Sequence, residues 1–146
     1  MWPFKRKEWE KLGASMTADA LRAQLAQLNS DFTDLRDRGY RAISAKDFEE
    51  IIFDSWFPNN EPAYRSEVFD CDKFAVCFMA NVYLRWAKIS KGSEALAFGY
   101  IAANVEGMGW HAFIWHVDDQ GVIRFYEPQN GHLAAYKFLG VAVVES

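Results

Sequence analysis

The stretch from Trp110 to Gln129 constrains the fold most, because its alternating residues around one turn admit a single strand register. Trp110-His-Ala-Phe-Ile-Trp-His-Val117 and Val122-Ile-Arg-Phe-Tyr-Glu127 flank Asp118-Asp119-Gln120-Gly121. A three-residue loop Asp119-Gln120-Gly121, with Gly121 left-handed, sets Asp118 opposite Val122 and Phe113 opposite Glu127. One face then carries His111, Phe113, Trp115, Val117, Ile123, Phe125, Glu127 and Gln129. The other carries Ala112, Ile114, His116, Asp118, Val122, Arg124 and Tyr126. A two- or four-residue loop would bring Arg124 beside Trp115 in the core, which the hydrophobic pattern opposes. This register predicts that the first face is buried and the second is the more polar one, with His116 at the surface near Arg124. It also sets His111 opposite Gln129 and diagonal to Glu127, at the hairpin end far from the turn.

Before this hairpin the sequence reads as helix. Thr17 is a suitable N-cap for a short helix whose inner residues are Leu21, Leu25 and Leu28. Ser44-Ala-Lys-Asp47 has capping-box form, and predicts a helix from Ala45 to about Ser55 with Phe48, Ile51 and Ile52 inward. Asp70 is an N-cap candidate for a third helix, from Cys71 to about Lys88, whose stripe is Ala75, Phe78, Val82 and Trp86. After Gly92 the texture is that of strands, over 95–103, 110–117, 122–127 and 141–144. Helices first and strands second predict an α+β fold, with the helices on one face of a C-terminal antiparallel sheet. Residues 1–14 read as a tail or docking arm, and 15–146 as a single domain. Trp56 to Tyr64 is aromatic and holds two prolines and two asparagines. It predicts an ordered loop, either a plain connector or the wall of a cleft that offers side-chain amides to a substrate.

With 146 residues, 51% of them hydrophobic, the chain can bury one core. The net charge of −4 excludes a nucleic-acid surface, which needs a basic face to release counterions. No apolar run has membrane-spanning length, and the N-terminus lacks the apolar segment of a signal peptide, so a cytoplasmic chain is expected. Cys71 and Cys77 lie roughly 240° apart around one helix, so both are expected to be free thiols.

The position of Cys71 carries the chemistry. A thiol at a helix start faces unpaired N–H groups and the positive end of the macrodipole, which favour a thiolate. If that helix packs on the His111 face, then Cys71, His111 and Glu127 meet as nucleophile, base and orienter. Two alternatives stay open. Cys71 can be a small buried hydrophobe, or the three residues can hold zinc, although no Cys-x-x-Cys or His-Glu-x-x-His spacing marks a dedicated site. His132 follows Gly131 in a turn and reads as solvent-facing.

The strings FDCDKFA, GWHAFIWHV and FYEPQNG, in this order, resemble the papain-like cysteine peptidase domain of the fairy-ring mushroom agglutinin and its bacterial and phage relatives. More distantly they are similar to transglutaminase-like cysteine peptidases. The resemblance implies a papain-like fold, a catalytic triad of Cys71, His111 and Glu127, and a protein or peptide substrate. Gln129, Asn59, Asn60, Tyr64 and Trp110 are then candidates for contacting substrate or oxyanion. No cofactor is required by this chemistry; the resemblance adds calcium as an optional one, with Asp70 and Asp72 as the candidate ligands, although Lys73 stands where relatives often carry an acid. The residues before the helical region are too few for the agglutinin's glycan-binding β-trefoil, so no lectin function is implied. The leading expectation is a thiol hydrolase. Glutamine deamidation or transglutaminase-like acyl transfer, and a non-catalytic binding module on the same fold, are the alternatives.

Overall fold

The computed structural model describes residues 7–54, 65–66 and 70–146. After a 3-10 turn at Trp9–Lys11 come β1 (Ala14–Thr17), α1 (Ala18–Leu25), a second 3-10 turn, β2 (Phe32–Asp34), β3 (Gly39–Ala42) and α2 (Ala45–Asp54). Then follow α3 (Cys71–Ile89), β4 (Ala95–Leu96), β5 (Phe98–Val105), β6 (Gly109–Val117), β7 (Ile123–Tyr126), β8 (Leu133–Ala134) and β9 (Phe138–Glu145). The strands form a six-stranded sheet in the order β2-β9-β5-β6-β7-β8 and a three-stranded sheet β1-β3-β4. The β2–β9 and β3–β4 pairs are parallel and the remaining pairs antiparallel. The fold is therefore α+β with two mixed sheets, which corrects the expectation of one C-terminal antiparallel sheet.

Local chemistry accounts for the helix starts. The Thr17 hydroxyl accepts from the Ala20 N–H at 3.1 Å, and the Ser44 hydroxyl from the Asp47 N–H at 3.1 Å. Each satisfies a donor that the first helical turn leaves without a partner. Asp70 does not cap α3 with its side chain. Its carboxylate is drawn instead to the Lys73 ammonium, 3.0 Å away. The α3 stripe is buried as its spacing predicts, with Phe74 added to Ala75, Phe78, Val82 and Trp86.

The β6–β7 hairpin adopts the expected register. Val117 pairs with Ile123, His116 with Arg124, Trp115 with Phe125 and Ile114 with Tyr126. Gly121 has φ 76°, a conformation glycine takes without steric cost, and its N–H closes the turn onto the Asp118 carbonyl at 3.0 Å.

Both faces of the large sheet are covered, not one. Phe48, Ile51 and Ile52 of α2 and Ala75, Phe78 and Val82 of α3 pack with Phe98, Ala112, Ile114 and Tyr126. On the opposite face, Leu21 and Leu25 of α1, with Leu35 and Tyr40, pack on Ile101, Phe113, Trp115, Val117 and Val144. Two corrections follow. The hairpin face expected to be polar is the one beneath α2 and α3, and His116, expected at the surface, is 0% exposed. The reason is that Ala112, Ile114 and Tyr126 make that face apolar enough to receive a helix layer. The segment before β1 also joins the core, since Trp9 is 7% exposed and meets Trp86 edge-to-face at 6.4 Å. No helix among the described residues is long and apolar enough to cross a membrane.

Candidate site at the end of the central hairpin

His111 lies near the start of β6, and Glu127 is the first residue past β7. The hairpin register brings these two strand ends together, and His111 Nε2 and Glu127 Oε2 share a hydrogen bond of 2.8 Å. Both side chains are largely buried, at 12% and 13% exposure. Backbone bonds fix the residue and one of its carboxylate oxygens. The Glu127 N–H donates to the His132 carbonyl at 2.8 Å, and the Glu127 carbonyl accepts from the Gly131 N–H at 2.7 Å. Glu127 Oε1 accepts from the Gln129 N–H at 3.2 Å. The tautomer with its proton on Nε2 donates this bond and leaves Nδ1 as the acceptor. Phe113 supports the imidazole at 4.5 Å between ring centroids.

Cys71 is half-buried at the first position of α3 and packs against the core layer that contains Ala112 and Ile114. That layer lies on the side of β6 opposite the Phe113 side, because successive strand residues alternate. The condition for the three-residue meeting, α3 on the His111 face, is therefore not the arrangement found. Among the described residues, no hydrogen bond joins Cys71 to His111. The structure thus brings together His111, Glu127 and the Gln129 backbone.

The two aspartates around Cys71 are held by Lys73. Its ammonium lies 3.0 Å from Asp70 Oδ1 and 3.5 Å from Asp72 Oδ1. Hydrogen bonding to the Asp72 side chain and to Lys73 lowers the Asp70 carboxyl to about 2. These residues do not fit calcium, because a cation already spans both carboxylates and would repel a second one. Among the described residues, no group of three or more His, Cys, Asp or Glu side chains could hold a metal ion, zinc included.

Trp110, next to His111, is 62% exposed, and Gln129 is half-buried. His132 is exposed, with its N–H bonded to Asn130 Oδ1 at 2.9 Å. Asn59, Asn60 and Tyr64 lie outside the described residues. Sequence reading did not anticipate a cavity of about 590 Å³ beside α3, lined by Asp72, Val76, Met79, Tyr83, Tyr100 and Glu145 among others. Burial raises the Tyr83 hydroxyl to about 12 and also raises Tyr100, so both stay neutral at ordinary pH. Strand alternation could have placed Tyr100 on the α3 side, but only with the helix position already known.

No protein-family model and no curated protein matches the chain. Solved structures do. PSL1a in complex with E64 is similar with a TM-score of 0.70 and 28% identity, over 88% of this chain and 51% of that one. Polyporus squamosus lectin bound to the human-type influenza-binding epitope Neu5Aca2-6Galb1-4GlcNAc is similar with a TM-score of 0.65 and 26% identity, over 88% of this chain and 49% of that one. The chain spans about half the length of these structures. The neighbours are lectin structures, and this overturns the assignment to the papain-like cysteine peptidases and its description as a hydrolase or thiol protease. It overturns equally the expected protein or peptide substrate, since the glycan named for the neighbour is a sialylated carbohydrate. Short strings around Cys71, His111 and Glu127 report a local framework, which a binding protein and an enzyme can share.

Proposed function

We propose that this chain is a binding module on the α+β fold it shares with part of Polyporus squamosus lectin, and that its ligand is a carbohydrate. The observation that carries this reading is the likeness over 88% of the chain, at TM-scores of 0.70 and 0.65, to the lectin structures. The hairpin end has suitable chemistry. A fixed carboxylate and an imidazole offer directional bonds to hydroxyls, and the exposed Trp110 ring beside them offers an apolar face. The test is an NMR titration with Neu5Aca2-6Galb1-4GlcNAc and, separately, with its unsialylated disaccharide. Shifts at Trp110 and His111, weakened at least about tenfold by Glu127→Ala, are expected. Absence of shifts with both sugars, or binding that Glu127→Ala leaves intact, overturns the reading.

A second reading is favoured by one feature, the carboxylate-held imidazole on the strand next to a helix-start thiol. On it, Cys71 is the nucleophile of an acyl transfer, His111 takes and returns the thiol proton, and Glu127 orients the imidazole. It requires the thiol to reach Nδ1 of His111. Intact-mass measurement after exposure to iodoacetamide or E64 tests it in the Cys77→Ser background. Rapid modification of Cys71 that slows about a hundredfold in His111→Ala supports this reading. Modification that is insensitive to His111 removes it.

A further inference from the structure

His116 sits mid-hairpin between Phe98 of β5 and Arg124 of β7, and none of it reaches solvent. Its ring lies flat on Phe48 of α2, with centroids 4.0 Å apart and planes within 7°. Phe48 in turn meets Tyr126 at 5.3 Å and Phe98 at 5.8 Å, so this stack is the joint between α2 and the sheet. Neither Nδ1 nor Nε2 of His116 has a hydrogen-bond partner among the described residues. A buried polar group left unpaired in a native core calls for an explanation.

The charged groups around it are engaged with other donors, and none of them is hydrogen-bonded to the ring. Asp118 Oδ1 accepts from the Gln120 and Val122 N–H groups, each at 2.9 Å, and Oδ2 accepts from Arg124 Nε at 3.2 Å. Arg124 itself brings a positive charge to the strand beside His116. From α2, Glu49 accepts from the Tyr126 hydroxyl at 3.4 Å. From α3, Tyr83 packs on Phe98 at 4.9 Å, a neutral contact, and β5 contributes Phe98 and no charge. An imidazolium formed here would be a charge buried away from water and without a hydrogen-bond acceptor among the described residues.

We propose that His116 is an acid-sensitive joint, whose neutral ring holds α2 on the sheet through Phe48 and whose protonation releases that helix. Burial drives the imidazole down to about 3, from an ordinary 6.5. The docked form therefore refuses a proton that the released form accepts. Docking is at full strength above about pH 6.5 and weakens as pH falls toward 3, up to about tenfold per unit. At about pH 5 the loss is roughly thirtyfold.

Hydrogen exchange of α2 and α1 amides, corrected for intrinsic rates, at about pH 7.5 and about pH 5 tests this in the whole chain. The wild type should lose roughly thirtyfold more protection in α2 than in α1 on acidification. His116→Phe and His116→Met, which keep an apolar ring or chain against Phe48, should abolish that difference. A nitrogen-15 titration of the wild-type ring provides a readout that needs no variant, and should show His116 neutral at about pH 5 wherever α2 remains protected. A ring that titrates near 6.5 with α2 still protected, or an acid loss in α2 that persists in a folded variant, overturns the proposal.

Discussion

His111 and Glu127, sixteen residues apart in sequence, share a hydrogen bond of 2.8 Å across the open end of the central hairpin. The imidazole is locked by a carboxylate that the backbone of the next turn already holds. Replacing Glu127 with alanine should therefore free the ring and cost about 1 kcal/mol in a urea melt, whereas Glu127→Gln should recover part of that loss. Unchanged stability in the alanine variant would mean that the pair exchanges with water and fixes nothing.

Trp9 should behave as a core residue even though it precedes the first strand. Trp9→Ala empties a buried site against Trp86 and is expected to cost about 3 kcal/mol, read from the shift of the denaturation midpoint. A loss under about 0.5 kcal/mol would show that this segment only rests on the surface.

Gly99 and Gly140 should respond oppositely to a methyl group. An added Cβ at Gly99 would stand 1.9 Å from the Glu145 carbonyl oxygen, a backbone atom that also accepts from Trp115 Nε1 at 3.0 Å. Gly99→Ala is expected to cost about 3 kcal/mol, because β9 must move to admit it. At Gly140 nothing among the described residues lies within 4 Å of an added Cβ, so Gly140→Ala should change stability by less than about 0.5 kcal/mol. Equal effects at the two positions would refute the close approach of β5 and β9.

The Lys73 bridge makes a titration prediction. The Asp70 carboxyl, held at about 2 by the Asp72 side chain and Lys73, should move up toward its ordinary 3.8 in Lys73→Ala, as followed by carbon-13 NMR. A depressed native value adds stability that is present above about pH 3.8 and lost as pH falls toward 2, so the variant should flatten the acid limb. In the wild type, millimolar calcium should leave the melting temperature unchanged, whereas a calcium-dependent rise would show that Lys73 yields its place.

Much of this molecule follows from nearest neighbours along the chain. The caps at Thr17 and Ser44 and the α3 stripe from Ala75 to Trp86 are local, because helical spacing and side-chain-to-backbone bonds span only a few residues. The hairpin register is local too, since Gly121 and strict alternation leave one pairing, and the approach of His111 to Glu127 follows from it. The parallel pairing of Phe32 with Val143 had no local mark, being three polar-flanked residues joined to a strand at the other end of the chain. Nor could alternation say which face α3 would cover, because Ala112, Ile114 and Tyr126 make one face apolar and Phe113, Trp115 and Val117 make the other apolar as well. That choice is made by shape and volume among distant elements. It buried His116 beneath Phe48 and set Cys71 in the layer across β6 from Phe113.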